Sequence, residues 1–146
     1  MNIVLDSDVV ISALISTKRA GNFILRKILN NEKQVKIITT TQQIKEIEKV
    51  LKSPQFVWRQ DLKLWQKFKL KTQKVKLNQK LSKQALGFVN DTADCHILTS
   101  CLVGKTNFLL TYNLKDYKIK KIKNKFNLKV VNPGYFIQFL RTKEIR

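Results

Sequence analysis

The feature that most constrains this chain is an uninterrupted apolar run near the amino terminus that ends in acid. Ile3-Val4-Leu5 is followed directly by Asp6, and Asp8 comes two positions later. A continuous aliphatic run is typical of a strand that is buried on both faces in a parallel sheet. Because open α/β sheets bind their ligands at the carboxyl ends of the strands, we expect Asp6 to lie in a ligand site.

The rest of the chain alternates between strand and helix patterns. Further strands are expected at 35–39, 74–77, 108–111 and 128–131, and helices at 8–15, 20–29, 42–52, 57–71, 90–103 and from 133 onwards. This alternation predicts an α/β fold with a mainly parallel sheet and right-handed crossovers. The apolar stripe of the 57–71 helix predicts core positions for Trp58, Leu62, Trp65 and Phe68. At 146 residues the chain is expected to form a single domain, 1–146.

The charge of the chain is strongly unbalanced. There are 29 Lys and Arg residues against 10 Asp and Glu, which gives a net charge of +19 at pH 7. Such a field attracts polyanions, so nucleic acid is the leading candidate partner, ahead of an anionic membrane or an acidic protein. A lysine-rich composition also arises without selection for binding. The lysines expected to contact nucleic acid follow the strand at 108–111 and are Lys115, Lys118, Lys120, Lys121 and Lys123.

Cysteine usage and hydropathy indicate a cytoplasmic protein. Cys95 and Cys101 share one predicted helix at a spacing that cannot form a disulfide, which is usual in a reducing compartment. Asp6 and Asp8 stand where a signal peptide would need an apolar core. No apolar run approaches the length of about 18 residues that spans a membrane. We therefore expect a cytoplasmic protein that does not insert into a membrane.

The helix predicted after position 90 carries two acids with different expected roles. Asp94 lies on its apolar face in the first turn, where a lone carboxylate would be costly unless it coordinates a cation. Asp91 is better explained as a cap or first-turn acid that complements the helix dipole. His96 falls off the apolar face and is expected to be a surface residue. The helix thus offers Asp94 as a candidate ligand and Asp91 as a supporting residue.

Further oxygen donors follow two other strands. Glu46 and Glu48 border the apolar stripe of the helix at 42–52, one on either side, and periodicity does not choose between them. Thr111, Asn113 and Asp116 follow the strand at 108–111, in a pattern that also suits a turn. These side chains can reach the same edge of a parallel sheet as the acids that follow the first strand.

If these side chains converge, they form a site of hard oxygen donors. The candidates are Asp6, Asp8, Glu46 or Glu48, Asp94, Asn113 and Asp116. Carboxylates without a nearby His or Cys favour Mg²⁺ or Mn²⁺ over zinc. Mutual repulsion would raise the pKa values of the carboxyls until a cation binds. One or two such ions can activate water and stabilise the leaving oxygen in phosphodiester hydrolysis, a reaction that suits a basic chain.

At these residues the sequence resembles the PIN-domain ribonucleases, especially the bacterial toxins of toxin–antitoxin pairs. Residues 3–14 look like that family's opening strand, first catalytic acid and following helix, with Asp6 as the acid. Glu46 falls at the family's helix Glu, and Asp94 falls at its metal-binding acid in an acidic helix start. Residues 108–117 are similar to its strand that ends in Thr-x-Asn-x-x-Asp-aromatic.

Two positions depart from the family pattern. Asp8 stands where the family usually has Asn, and Asn113 stands where many members have Asp, which leaves the fourth acid to Asp116 or to no residue. The resemblance implies a three-layer α/β/α domain that cleaves RNA with Mg²⁺ or Mn²⁺, forms a homodimer and binds a small antitoxin protein. The catalytic and metal-binding residues that it implies are Asp6, Glu46, Asp94 and Asp116, supported by Asp8, Asp91, Thr111 and Asn113.

Two other functions fit part of the sequence. An Asp-x-Asp followed by Val-Val also resembles the opening motif of haloacid-dehalogenase-type phosphatases, with Asp6 as the nucleophile and Asp8 as the acid/base. That mechanism needs an acid pair after a late strand, whereas Asp91 and Asp94 begin a helix. The other alternative is a non-catalytic, basic RNA-binding domain with a degenerate acid pocket. The hypothesis favoured by the whole pattern is a metal-dependent endoribonuclease.

Overall fold

The sheet at the centre of the fold is parallel, and its middle strand is the first strand of the chain. The structure is a computed structural model that describes residues 1–31 and 33–145. Within these residues the strands are β1 (Asn2–Leu5), β2 (Lys36–Thr39), β3 (Gln73–Lys74), β4 (Phe108–Leu110) and β5 (Lys129–Val131). Their order in the sheet is β3-β2-β1-β4-β5, and each neighbouring pair is parallel.

Helices cover both faces of this sheet. They are α1 (Ser7–Ile15), α2 (Ala20–Asn31), α3 (Thr41–Leu51), α4 (Leu62–Lys71), α5 (Gln79–Leu86), α6 (Cys95–Val103), α7 (Ile119–Phe126) and α8 (Pro133–Ile145). Ile3 and Leu5 of β1 pack in one core with residues of α1, α2, α3, α4 and α8. Val4 packs in a second core, on the opposite face, with residues of α5, α6 and α7. The expected α/β fold with three layers and a mainly parallel sheet is therefore confirmed.

A buried glutamine fixes the ends of the two strands that lead to the acids. Gln43 is 1% exposed and lies in the first turns of α3. Its Nε2 donates to the Leu5 carbonyl at 2.6 Å, and its Oε1 accepts a hydrogen bond from Thr39 Oγ1 at 2.6 Å. The ends of β1 and β2 are thus held together directly below the point where Asp6 follows β1.

The helix predicted at 57–71 begins later than its apolar pattern suggested. The Asp61 side chain accepts a hydrogen bond from the Leu64 backbone N–H at 3.1 Å and so caps α4 at Leu62. Trp58 lies in the preceding turns and is 92% exposed, and Leu62 is also exposed. Core packing was therefore predicted wrongly for these two residues, whereas Trp65 and Phe68 are buried, with their rings stacked 5.4 Å apart.

Two helices in polar parts of the chain were not predicted. α5 and α7 are short, and each buries a single residue, Ala85 and Ile122 respectively. One buried residue leaves too little apolar periodicity to distinguish a helix from a connection. The edge strand is also shorter than expected, since β3 covers Gln73–Lys74 rather than 74–77. Within the described residues, no helix combines the length and apolarity required to cross a bilayer.

Candidate active site

Asp6 lies where β1 ends and α1 begins. Its Oδ1 caps α1 by accepting a hydrogen bond from the Ser7 backbone N–H at 2.8 Å. Its Oδ2 accepts hydrogen bonds from Thr111 Oγ1 and Tyr117 Oη, both at 2.9 Å. Asp6 is 6% exposed. Burial raises the pKa of this carboxyl above 3.8, and the hydrogen bonds from Thr111, Tyr117 and Ser7 offset part of that rise.

Asp8 lies in the first turn of α1 and is held by the segment that follows β4. Its Oδ2 accepts hydrogen bonds from the Tyr112 backbone N–H at 3.2 Å and from Asn113 Nδ2 at 3.0 Å. Its Oδ1 is buried and has no hydrogen-bond partner among the described residues. Burial, followed by the negative charge of Asp6, raises the pKa of Asp8 to about 6. Asn113 therefore acts on Asp8 as an amide donor.

Two further acids reach the same edge of the sheet from the loops beside α6 and β4. The Asn90 backbone N–H donates to the Asp116 carbonyl at 2.7 Å, which ties these loops together. The pKa of Asp94 is raised to about 7, first by burial, then by the charges of Asp6 and Asp116, and also by a hydrogen bond with the Asp116 carboxyl. Asp94 Oδ2 is buried and, within the described part of the chain, lacks a partner. We call the group Asp6, Asp8, Asp94 and Asp116 the acid cleft.

A 3-10 turn at Thr92–Asp94 precedes α6, so the α-helix predicted at 90–103 begins at Cys95. The turn is capped by Asp91, and a histidine follows it. Asp91 Oδ1 accepts a hydrogen bond from the Ala93 backbone N–H at 2.9 Å, which is the capping role that the sequence indicated. His96 is not a surface residue, as the sequence suggested: its side chain is 11% exposed, and its Nε2 lies 2.8 Å from Glu46 Oε2. The prediction was wrong because Glu46 from α3 covers the ring, and helical periodicity within α6 carries no information about α3.

The partners of the two glutamates on α3 distinguish their positions. Glu46 contacts His96 of α6 and follows Gln43 by one helical turn, and the Gln43 side chain donates to the Leu5 carbonyl next to Asp6. Glu48 Oε1 lies 3.9 Å from Lys69 Nζ of α4. Glu46 is thus the glutamate on the side of the acid cleft, at its rim, with 46% of its side chain exposed.

The acid cleft offers oxygen donors without a complete set of metal ligands. Among residues 1–31 and 33–145, no three His, Cys, Asp or Glu side chains are grouped closely enough to form a ready ligand cluster. Two carboxylate oxygens, Asp8 Oδ1 and Asp94 Oδ2, are nevertheless buried and unpartnered in that part of the chain. Such oxygens suit Mg²⁺, which is commonly held by one or two carboxylates together with water and substrate phosphate oxygens.

A shallow, largely apolar depression with four lysines around it, which we call the basic groove, lies where the turn at Leu114–Asp116 leads into α7. Its volume is about 470 Å³, and it is lined by Leu114, Lys115, Tyr117, Lys118, Ile119, Lys120 and Lys121. Tyr117 belongs to both features, because it lines the groove and also donates to Asp6. Lys123 does not line the groove, and its Nζ donates to Asn127 Oδ1 at 2.6 Å.

The position of the second acid pair does not favour the phosphatase alternative, because Asp91 and Asp94 lie at the turn that leads into α6 and not after a late strand. An aspartyl nucleophile needs a carboxylate oxygen that is free to attack the substrate. Both Asp6 oxygens accept hydrogen bonds, from Ser7 on one side and from Thr111 and Tyr117 on the other. Oδ2 is saturated by its two donors, whereas Oδ1 accepts one hydrogen bond and keeps one lone pair. The hydrogen bonds therefore fix the orientation of the carboxylate, and the remaining lone pair is the one that could coordinate a cation.

The three-layer α/β/α fold, with acids at the carboxyl ends of β1 and β4, is the arrangement that the resemblance to PIN-domain proteins implied. The PIN domain family matches residues 2–115, and the chain therefore belongs to that family. PIN domains are in general nucleases. The resemblance drawn from the sequence is confirmed, although Asp116, Tyr117 and α7 lie beyond the matched segment.

A solved structure has the same fold. It is a chain of the VapBC2 complex from Rickettsia felis, determined with the complex bound to a DNA fragment from their promoter. The two chains superimpose with a TM-score of 0.61 and 17% sequence identity, over 90% of this chain and 98% of that chain. At that identity the similarity concerns the fold alone. No curated protein sequence matches the chain.

Proposed function

We propose that this protein is a metal-dependent endoribonuclease and that the acid cleft is its active site. The observation that carries the proposal is a pair of buried carboxylate oxygens, Asp8 Oδ1 and Asp94 Oδ2, that have no hydrogen-bond partner among the described residues. In keeping with this, the pKa is raised to about 6 for Asp8 and to about 7 for Asp94. Burial and neighbouring acids destabilise the ionised carboxyls, and a bound cation would relieve that destabilisation. Membership of the PIN domain family, whose members are in general nucleases, supports this function.

In this proposal the acids have two kinds of role. Asp6, Asp94, Glu46 and Asp116 hold the cation, and Asp8, Asp91, Thr111 and Asn113 support them. A bound Mg²⁺ or Mn²⁺ supplies Lewis-acid chemistry, which activates water and stabilises the leaving oxygen of a phosphodiester. Thr111 and Tyr117 keep the Asp6 carboxylate in one orientation before the cation arrives, since both donate to its Oδ2. The unpartnered oxygen of Asp94 is offered to the cation, and the unpartnered oxygen of Asp8 supports the site beside it.

The basic groove is the proposed path of the RNA backbone. Lys115, Lys118, Lys120 and Lys121 line it, and Lys123 lies one turn further along α7. Each phosphate contact with single-stranded nucleic acid contributes about 0.7 to the slope of log affinity against log salt concentration. Replacing both Lys120 and Lys121 with Ala should therefore reduce that slope by about 1.4. An unchanged slope in filter-binding measurements would exclude this path.

Cleavage of labelled RNA with Mg²⁺, Mn²⁺ or EDTA tests the activity. The wild-type chain should cut RNA with Mn²⁺ or Mg²⁺ and should stop in EDTA, and Asp94→Asn should lose the activity in both metals. Asp61→Asn is a suitable control, because Asp61 pairs with Arg26 at 2.6 Å, outside the acid cleft. Activity that survives both EDTA and Asp94→Asn would exclude the proposal. RNA binding without cleavage in either metal would favour the non-catalytic alternative.

The proposed biological role is that of a toxin that acts as a homodimer and is inhibited by a small antitoxin protein. The likeness in fold to a chain of VapBC2 supports this role, and the net charge of +19 suits an acidic partner. Expression of the wild-type chain should arrest bacterial growth, and Asp94→Asn should not. Sedimentation of the purified chain tests the dimer, and co-purification with a short acidic protein encoded beside it tests the partner.

A further inference from the structure

Glu46 and His96 form a contact between the two helical layers, at the edge of the sheet that carries the acids. Glu46 lies on α3, which packs in the core with α1. His96 lies on α6, which packs on the opposite face of the sheet. The distance between His96 Nε2 and Glu46 Oε2 is 2.8 Å. The contact thus joins two layers that the sheet separates elsewhere.

The two side chains differ in their freedom. Glu46 has 46% of its side chain exposed, whereas His96 has 11%. A glutamate with that exposure would sample many rotamers in water, and fixing it costs conformational entropy. The imidazole is largely buried, and its Nδ1 is buried without a hydrogen-bond partner among the described residues. The contact therefore joins an exposed carboxylate to a ring whose freedom is limited by burial.

The position of the ring decides where Glu46 is held. Glu46 follows Gln43 by one helical turn, and the Gln43 side chain donates to the Leu5 carbonyl next to Asp6. His96 follows Asp94 by two residues, so the contact lies at the strand end that carries the acid cleft. The other glutamate of α3, Glu48, lies 3.9 Å from Lys69 on α4 instead. Glu46 and Glu48 are two residues apart and point to opposite sides of α3, so each contacts a different neighbouring helix.

We propose that His96 is a positioning residue, which holds the Glu46 carboxylate at the acid cleft in the orientation that binds a divalent cation. This inference rests on the proposed metal-dependent nuclease. His96 acts through Glu46 and does not itself contact the cation or the RNA. Residues that hydrogen-bond to a metal ligand commonly change metal affinity by 10–100-fold when they are replaced.

A double-mutant cycle on Mn²⁺ affinity tests the proposal without measuring activity. Free Mn²⁺ is followed by electron paramagnetic resonance in the wild type, His96→Ala, Glu46→Gln and the double variant. His96→Ala should weaken binding by about tenfold or more, and it should cause no further loss when Glu46→Gln is already present. His96→Gln should retain most of the affinity, because its amide nitrogen can donate from nearly the same place as Nε2. Circular dichroism establishes that each variant is folded.

The contact between Glu48 and Lys69 provides a matched control on the same helix. Lys69→Ala removes that contact and should leave Mn²⁺ affinity unchanged. Three results would each overturn the positioning role. The first is a His96→Ala variant with the Mn²⁺ affinity of the wild type. The second is an equal loss of Mn²⁺ affinity from His96→Ala with and without Glu46→Gln, and the third is a wild-type chain that binds no Mn²⁺. RNA cleavage is measured separately. A chain that shows the non-additive cycle but cleaves no RNA would refute the nuclease and leave the role of His96 standing.

Discussion

Replacing Asp94 with Asn is expected to stabilise the metal-free protein at alkaline pH. In the folded chain the pKa of Asp94 is raised from 3.8 to about 7, mainly by burial, whereas the unfolded chain exposes the carboxyl to water. The folded state thus binds this proton more tightly than the unfolded state. Its contribution to stability is fully present below about pH 4 and is lost as the pH rises through about 7. Asn carries no charge and avoids the loss.

The size of the effect follows from the two pKa values. They differ by about three, and a difference of one corresponds to about 1.4 kcal/mol, so the upper limit is about 4 kcal/mol. Asp94 is only partly buried, and solvent screens its interactions with the neighbouring acids. We therefore expect the free energy of unfolding to rise by about 1–2 kcal/mol in Asp94→Asn at about pH 8.

Urea denaturation in EDTA at about pH 8 and about pH 4 measures this difference. The free energy of unfolding of Asp94→Asn should exceed that of the wild type at about pH 8 and should not exceed it at about pH 4. Asp61→Asn is a control of opposite sign, because a hydrogen bond from the Leu64 N–H and the contact with Arg26 lower the pKa of Asp61. The reasoning is refuted if Asp94→Asn is less stable than the wild type at about pH 8, or if its advantage does not depend on pH.

Two further substitutions test contacts around the cleft and the sheet. Tyr117→Phe removes a hydroxyl that donates to Asp6 Oδ2 at 2.9 Å; because the carboxylate is buried, thermal or urea unfolding should show a loss of about 1–3 kcal/mol. Gly104→Ala would place a methyl carbon 2.8 Å from Ile38 Cγ2 and should cost about 1–3 kcal/mol in the same assay. In Gly87→Ala the nearest atom would be 3.9 Å away, so a comparable loss there would contradict the steric explanation.

The central part of the fold could be predicted from the sequence because its strands are buried on both faces. Ile3-Val4-Leu5 and Phe108-Leu109-Leu110 are continuous apolar runs, and they became the neighbouring strands β1 and β4. The signal fails where an element buries little. In the described part of the chain, Ile122 is the fully buried residue of α7, Ile119 and Phe126 are partly buried against the core, and the apolar residue Trp58 lies in solvent. Apolar periodicity reflects how many residues of an element are buried, and α7 and the turns around Trp58 bury too few residues to show it.

The candidate site could be predicted only in part, for a related reason. A strand end placed Asp6, and a helix face placed Asp94, because each position depends on the element that carries the residue. The contact between Glu46 and His96 depends on the relative placement of two helices, so the apolar pattern within either helix does not predict it. The aromatic residue Tyr117 was part of the family resemblance, but its hydrogen bond to Asp6 becomes visible only in three dimensions. The metal-binding roles themselves stay predictions.

The place of β1 in the sheet also bears on how the chain folds during synthesis. β1 leaves the ribosome first, yet its partner β4 is made only when Phe108–Leu110 has been translated. The hydrogen bonds of Asp6 with Thr111 and Tyr117 span 105 and 111 residues, and long-range parallel contacts of this kind form slowly. Until β4 has been made, β1 can pair with β2 alone, and its other edge and the apolar residues beside it have to be shielded in another way. A chain that is released early carries Asp6 without the groups that orient it.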